Sequence, residues 1–148
     1  EFFPVLRVAV KTAWHAAGGG SAVPPLVLAS VRLAELLEVT ASRSDERSRW
    51  QSAFNRIASK QADFVLCDPD STRPLLIIEL DDRSHARADR RERDGFLDDA
   101  CAAAGLPILH IPAAARYDAG ALAERLRQVL LPTPTPSLHR NTEHTAAR

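Results

Sequence analysis

Apolar positions recur along this chain with two different periods, and the switches between them divide it into elements. Phe3, Leu6, Val10, Ala13 and Trp14 fall at helical spacing, which predicts a helix from Phe2 to Ala17 with Pro4 in its first turn. Gly18-Gly19-Gly20 stops it. Leu26 to Ala29, after Pro24-Pro25, reads as a short buried strand, Leu33 to Val39 as a short helix and Ala41 to Ser44 as a loop. Asp45 to Lys60 is amphipathic: Trp50, Phe54 and Ile57 form one stripe, while Arg49, Arg56 and Lys60 fall on another face. Asp63 to Cys67 and Leu75 to Asp81 are apolar strand runs joined by Asp68-Pro69-Asp70-Ser71-Thr72-Arg73-Pro74, a turn-rich connection that predicts a hairpin. A long helix spans Ala88 to Ala104 with Phe96, Leu97, Ala100, Cys101 and Ala104 as its stripe; Gly95 inside it costs about 1 kcal/mol relative to Ala. Gly105 ends it, Leu106 to Ile111 is a strand, and Ala119 to Leu130 is a closing helix carrying Leu122, Leu126, Val129 and Leu130.

The resulting order is helix, strand, short helix, helix, strand hairpin, helix, strand, helix. It predicts one α/β domain over residues 1–131, with a mixed central sheet flanked by helices on both faces. Residues 132–148 have no apolar periodicity and read as a disordered tail or linker. The 148 residues suffice for a single buried core. No apolar run is long enough to span a membrane and no signal peptide is visible, so a cytoplasmic setting is expected. Cys67 and Cys101 show no metal-ligand spacing and read as two reduced, buried thiols.

Charge sharpens this picture. Lys+Arg and Asp+Glu both number 19, which excludes a strongly basic coat protein and an acidic disordered chain. The zero sum hides a pattern. Arg43 to Lys60 holds five basic and two acidic residues, Asp63 to Asp82 one basic and six acidic, and Arg83 to Gly95 five basic and three acidic. An acidic strand pair is therefore flanked by two Arg-bearing helices.

Strand alternation puts Leu75, Ile77, Glu79 and Asp81 on one face. Pairing the hairpin symmetrically about Ser71 sets Cys67 opposite Leu75, Val65 opposite Ile77 and Asp63 opposite Glu79. Two carboxylates side by side repel, and burial raises the cost unless a shared proton or a divalent cation neutralises them. The oxygen donors Asp63, Glu79 and Asp81 suit Mg²⁺ or Mn²⁺ better than zinc. The plainer reading makes Asp63 the start of a strand, Glu79 the partner of Arg56 or Arg90, and Asp68, Asp70 and Asp82 turn residues.

Several runs carry a family resemblance. They are Phe54-Asn55-Arg56-Ile57, Lys60-Gln61-Ala62-Asp63-Phe64-Val65-Leu66, Ile78-Glu79-Leu80-Asp81-Asp82-Arg83-Ser84-His85, Arg93-Asp94 and Ala104-Gly105-Leu106-Pro107. Over roughly residues 1–130 the chain resembles the domain of unknown function 2726 family. That family resembles the PD-(D/E)XK, or restriction-endonuclease-like, nucleases, close to the very-short-patch-repair-like branch. The resemblance implies an αβββαβ core, with Asp63 as the motif aspartate and Glu79 as the Glu of Glu-x-Lys. Glu1 looks like the acidic residue contributed by the first helix. Asp81 stands where the lysine usually does, in a Glu-x-Asp form shared by that branch and followed by a histidine matching His85. Leu97 occupies a position where relatives carry a lysine.

Together these readings lead to an expectation of Mg²⁺- or Mn²⁺-assisted hydrolysis of DNA phosphodiester bonds, in repair, restriction or mobile-element processing. Asp63, Glu79 and Glu1 would hold the metal, with Asp81 as a further ligand. His85 is a general acid or base, or else caps the next helix or is hydrogen-bonded to Asp81. Lys60 contacts the phosphate, or is a solvated helix-end lysine. Arg56, Arg90 and Arg93 would bind nucleic-acid phosphate, or form helix-surface pairs with neighbouring acids. Trp50 and Phe54 read as core, and His110, between Leu109 and Ile111, as a satisfied core or edge histidine. A homodimer is expected because many such nucleases act in pairs. The Asp81 and Leu97 departures favour a second reading: a nucleic-acid-binding or regulatory module of the same fold without chemistry. A phosphoacceptor receiver is a third. It fails because it needs a lysine at a late strand end, where His110 and Pro112 stand.

Overall fold

The structure, a computed structural model, describes residues 1–17, 23–39, 47–81 and 88–130, with backbone alone at 47–49 and 88–94. The expected loop at Ala41 to Ser44, the Gly18–Gly20 helix stop, His85 and the tail at 132–148 lie outside the described residues.

The described elements follow the expected order: α1 (Phe2–Ala16), β1 (Leu26–Arg32), a 3-10 turn (Leu33–Glu35), α2 (Arg47–Ala58), β2 (Gln61–Cys67), β3 (Pro74–Asp81), α3 (Ala88–Ala104), β4 (Ile108–Pro112) and α4 (Ala119–Leu130). The strands form one mixed sheet in the order β1-β2-β3-β4, antiparallel except for the parallel β3–β4 pair. Parallel pairing follows from connectivity. The α3 crossover returns the chain to the same end of the sheet, whereas the short turn after β2 can only reverse it.

Two apolar layers hold the sheet between helices. On one face Phe2, Leu6 and Val10 of α1 and Leu122 and Leu126 of α4 pack on Leu66, Leu76, Ile78 and Leu109. On the other, Ile57 of α2 and Leu97 and Cys101 of α3 pack on Val65, Cys67 and Ile77. This is an α/β fold with four described helices around a mixed four-stranded sheet. Both cysteines are free and buried in the second layer. Among the described residues, no helix is long and apolar enough to cross a membrane.

Three local expectations change. The strand at Leu26 is an edge strand, and Leu26 and Leu28 are exposed because among the described residues no element packs over their side chains there. The segment after Glu35 does not continue as a helix; only Leu33–Glu35 closes a 3-10 turn. The last strand starts at Ile108 because α3 ends in a Schellman motif. The Leu106 N–H donates to the Cys101 carbonyl (2.9 Å) and the Gly105 N–H to that of Ala102 (3.1 Å), with Gly105 at φ 66°. The hairpin turn is fixed by Asp68, whose Oδ1 accepts the Ser71 N–H (2.8 Å) and hydroxyl (2.7 Å). These bonds hold the Asp68 carboxyl below its usual range.

Candidate functional site

The β2–β3 ladder sets Val65 opposite Ile77 and Phe64 opposite Ile78, the symmetric register expected from the turn. One end differs. An irregularity at Leu66/Cys67 pairs Cys67 with Pro74 rather than Leu75. At the other end, backbone pairing gives way to carboxylates. The Leu80 N–H donates to Asp63 Oδ2 (2.8 Å), and the Asp63 N–H donates to Glu79 Oε1 (3.3 Å). Each carboxylate thus accepts a backbone donor from the other's strand, and the two acids are locked side by side where the strands part.

The β1 side breaks at the same level. Ala29 pairs with Phe64 and Val31 with Ala62, but Ser30, opposite Asp63, drops out of the ladder with φ 54°. A non-glycine residue in the left-handed region marks a local distortion. The side-chain pattern shifts here too: Ala62 and Val65, three residues apart, lie in the same apolar layer. Strict alternation would have put them on opposite faces. Asp63 therefore stands at a gap in the ladders on both its sides.

Glu79 is half-buried, and its carboxyl is pushed up from 4.5 to about 7. Burial is the largest cause and the Asp63 charge the next, opposed by the Asp63 N–H and by His110. Parallel pairing sets His110 of β4 beside Glu79. The imidazole bridges two carboxylates: Nδ1 lies 3.0 Å from Asp81 Oδ1 and Nε2 lies 2.9 Å from Asp98 Oδ1 on α3. Burial works to lower the His110 pKa, but the bonds and charges of Asp81 and Asp98 outweigh it and hold it raised. The Cys101 thiol behind this cluster is pushed up to about 11 by burial, Asp98 and Glu79.

The other expected site residues fall as follows. Arg56 in the last turn of α2 and Lys60 just beyond its end both lie over the Phe96 ring of α3. The guanidinium carbon is 4.0 Å and the ammonium nitrogen 5.7 Å from its centroid. Glu79 therefore does not pair with Arg56; its neighbours are Asp63, His110 and Asp81. Trp50 and Phe54 stack on each other at 5.1 Å, and Phe54 packs on the α2/α3 core. Leu97 is buried in that core. Arg90 and Arg93 belong to α3, but their side chains, like His85, lie outside what is described. Glu1 is exposed at the start of α1, whose neighbouring Phe2 packs on Phe64 in the opposite layer. Among the described residues no three His, Cys, Asp or Glu side chains form a cation cage, so Glu1 does not complete a set with Asp63 and Glu79.

The role of His110 and Asp98 was missed in the sequence. Aligning the apolar pairs Ile77-Ile78 and Ile108-Leu109 in parallel puts His110 beside Glu79, but only once the crossover is known.

The fold and site define a three-layer α/β protein with a paired Asp–Glu at the point where its hairpin strands part. A family model described as "Protein of unknown function (DUF2726)" matches residues 3–130, and the chain belongs to that family. Comparison with curated proteins and with solved structures gave no match.

Proposed function

We propose that this protein is a metal-dependent nuclease hydrolysing DNA phosphodiester bonds on a restriction-endonuclease-like core. The observation that carries this reading is the Asp63–Glu79 pair. It is half-buried and mutually repelling, and backbone N–H donors hold it in place. Two adjacent carboxylates with lone pairs to spare suit a hard divalent cation. Mg²⁺ commonly takes one or two carboxylates and fills its octahedron with water and substrate phosphate, so two protein ligands fit it. Asp63 and Glu79 would hold Mg²⁺ or Mn²⁺. When bound, the cation lowers the pKa of a coordinated water and offsets charge on the reacting phosphate.

The remaining residues have roles of their own. His110, held between Asp81 and Asp98, fixes the Asp81 carboxylate beside the pair. Arg56, propped on Phe96, is a preformed phosphate contact at low entropic cost. Arg90 and Arg93 add positive charge on the helix that follows the site. The cytoplasm is the expected setting and a homodimer the expected state.

One observation favours a second reading, a nucleic-acid-binding module without chemistry. Asp81 occupies the position of the usual lysine and is already engaged by His110, so that position offers no ammonium to assist the attacking water. Plasmid nicking in Mg²⁺ and in Mn²⁺ separates the two. Nicking by the full chain, abolished in both Asp63→Asn and Glu79→Gln, is the expected result. Equal nicking by both variants and the parent overturns the nuclease reading. DNA retention on a filter without metal, in the absence of any nicking, would favour the module.

A further inference from the structure

The side of the sheet away from the carboxylates carries a second feature. Between α1 and the edge strand β1 runs a groove of about 660 Å³. Phe3 and Val8 of α1, Val23 ahead of β1 and Leu26 at its start line it. These four are among the five large apolar side chains that the described residues leave exposed; Val8 is 56% and Val23 50% exposed. The fifth, Leu28, pairs with Val65 of the α2/α3 layer and is not part of the groove. Single exposed apolar residues are ordinary, but a contiguous set gathered in one groove marks an interaction surface.

Two further observations say what kind of partner fits. Arg7 and Lys11, one helical turn apart on α1, line the same groove, and among the described residues no acidic residue does. β1 pairs only with β2, so among the described residues its outer edge has no strand partner. Such an edge is a template for strand addition. A second copy of β1 is a poor occupant: Leu26–Arg32 contains no carboxylate and would bring Arg32 instead. Nucleic acid is a poor occupant too, because the floor is apolar and the Phe3 ring is already stacked on Phe64 at 5.8 Å.

We propose that this groove binds an extended acidic–apolar segment of a partner protein. The segment adds as a strand to the outer edge of β1 and turns one row of every-second side chains toward α1, apolar and acidic in turn, the apolar ones in the groove and the carboxylates toward Arg7 and Lys11. The surface is separate from the Asp63–Glu79 pair and does not depend on its chemistry.

The test uses the full chain and a fluorescein-labelled Val–Glu decapeptide, with Val and Glu taking turns at the odd positions and Thr at the even ones so that both face α1, followed by anisotropy. Saturable binding is expected. It weakens about tenfold or more with a Val–Lys decapeptide, with a Val–Glu peptide N-methylated at alternate residues, and in Val8→Asp. The Arg7→Glu/Lys11→Glu pair should do the same. All three positions are exposed, and unchanged melting checks that the variants fold. The two control peptides test the idea without any variant. No saturation at about 1 mM peptide, or equal binding of the Val–Lys peptide, overturns the proposal. So does indifference to N-methylation. Self-association by sedimentation that Val8→Asp abolishes would identify the occupant as a second copy, and overturns it equally.

Discussion

Replacing Glu79 by Gln removes a charge the fold holds at a cost, so the variant should be more stable than the parent at alkaline pH. Glu79 ionises near 7 in the folded chain, against an ordinary value of 4.5. A carboxyl whose folded pKa is raised favours folding in its protonated form. Its contribution is complete below the unfolded pKa of 4.5 and is lost as pH rises through about 7. At about 1.4 kcal/mol per pH unit the gap sets a ceiling of about 3 kcal/mol. The side chain is only half-buried, and solvent screening reduces this to roughly 1–2 kcal/mol. Gln keeps an oxygen to accept the Asp63 N–H. Urea unfolding of parent and Glu79→Gln in EDTA, at pH 4.5 and pH 8.5, isolates the effect of this carboxyl and the groups coupled to it, because the rest of the chain titrates alike in both proteins. The variant should gain about 1–2 kcal/mol over the parent at pH 8.5 and almost nothing at pH 4.5. An equal difference at both pH values would refute the argument that burial and Asp63 raise this carboxyl. Adding Mn²⁺ at pH 8.5 should then stabilise the parent and not the variant.

His110 should lose its contribution in the same direction, because its pKa is raised too. Its raised pKa means that the bridge between Asp81 and Asp98 contributes below the ordinary imidazole pKa of 6.5 and is lost as pH rises through the folded value. His110→Asn should therefore cost roughly 1–2 kcal/mol at pH 5.5 and less at pH 9 by urea unfolding, and a loss that grows with pH would refute the bridge. At the end of α3, Gly105→Ala meets no atom within 4 Å, so only its φ of 66° opposes the change. It should lower stability by about 1 kcal/mol in the same assay, and a neutral result would show that the left-handed conformation is not required.

The parts legible in the sequence were those set by short-range periodicity. The 3.6-residue stripe Phe96-Leu97-Ala100-Cys101 marked α3 from Ala88 to Ala104, and the turn chemistry of Asp68 to Pro74 set the hairpin register at Val65 and Ile77. A symmetric turn and alternating strands were enough to bring Asp63 and Glu79 together, because backbone geometry carries a register along a strand without help from the rest of the fold.

What lay beyond the sequence depends on contacts between elements distant along it. Ser30 leaves the ladder opposite Asp63, and although it interrupts the apolar run after Ala29, the strand resumes at Val31 only through its pairing with β2. His110 meets Asp81 and Asp98 only because the α3 crossover lays β4 parallel to β3 and brings α3 back over the same face. Arg56 and Lys60 share one ring because α2 and α3 pack side by side over Ile57, Leu97 and Cys101. The exposed groove beside β1 likewise exists because that strand ended up at the sheet edge rather than inside it. The sequence by itself determined the elements and the paired acids; tertiary packing decided their charge state, since burial and neighbouring charge, not residue type, set how far Glu79 and His110 depart from their ordinary pKa values.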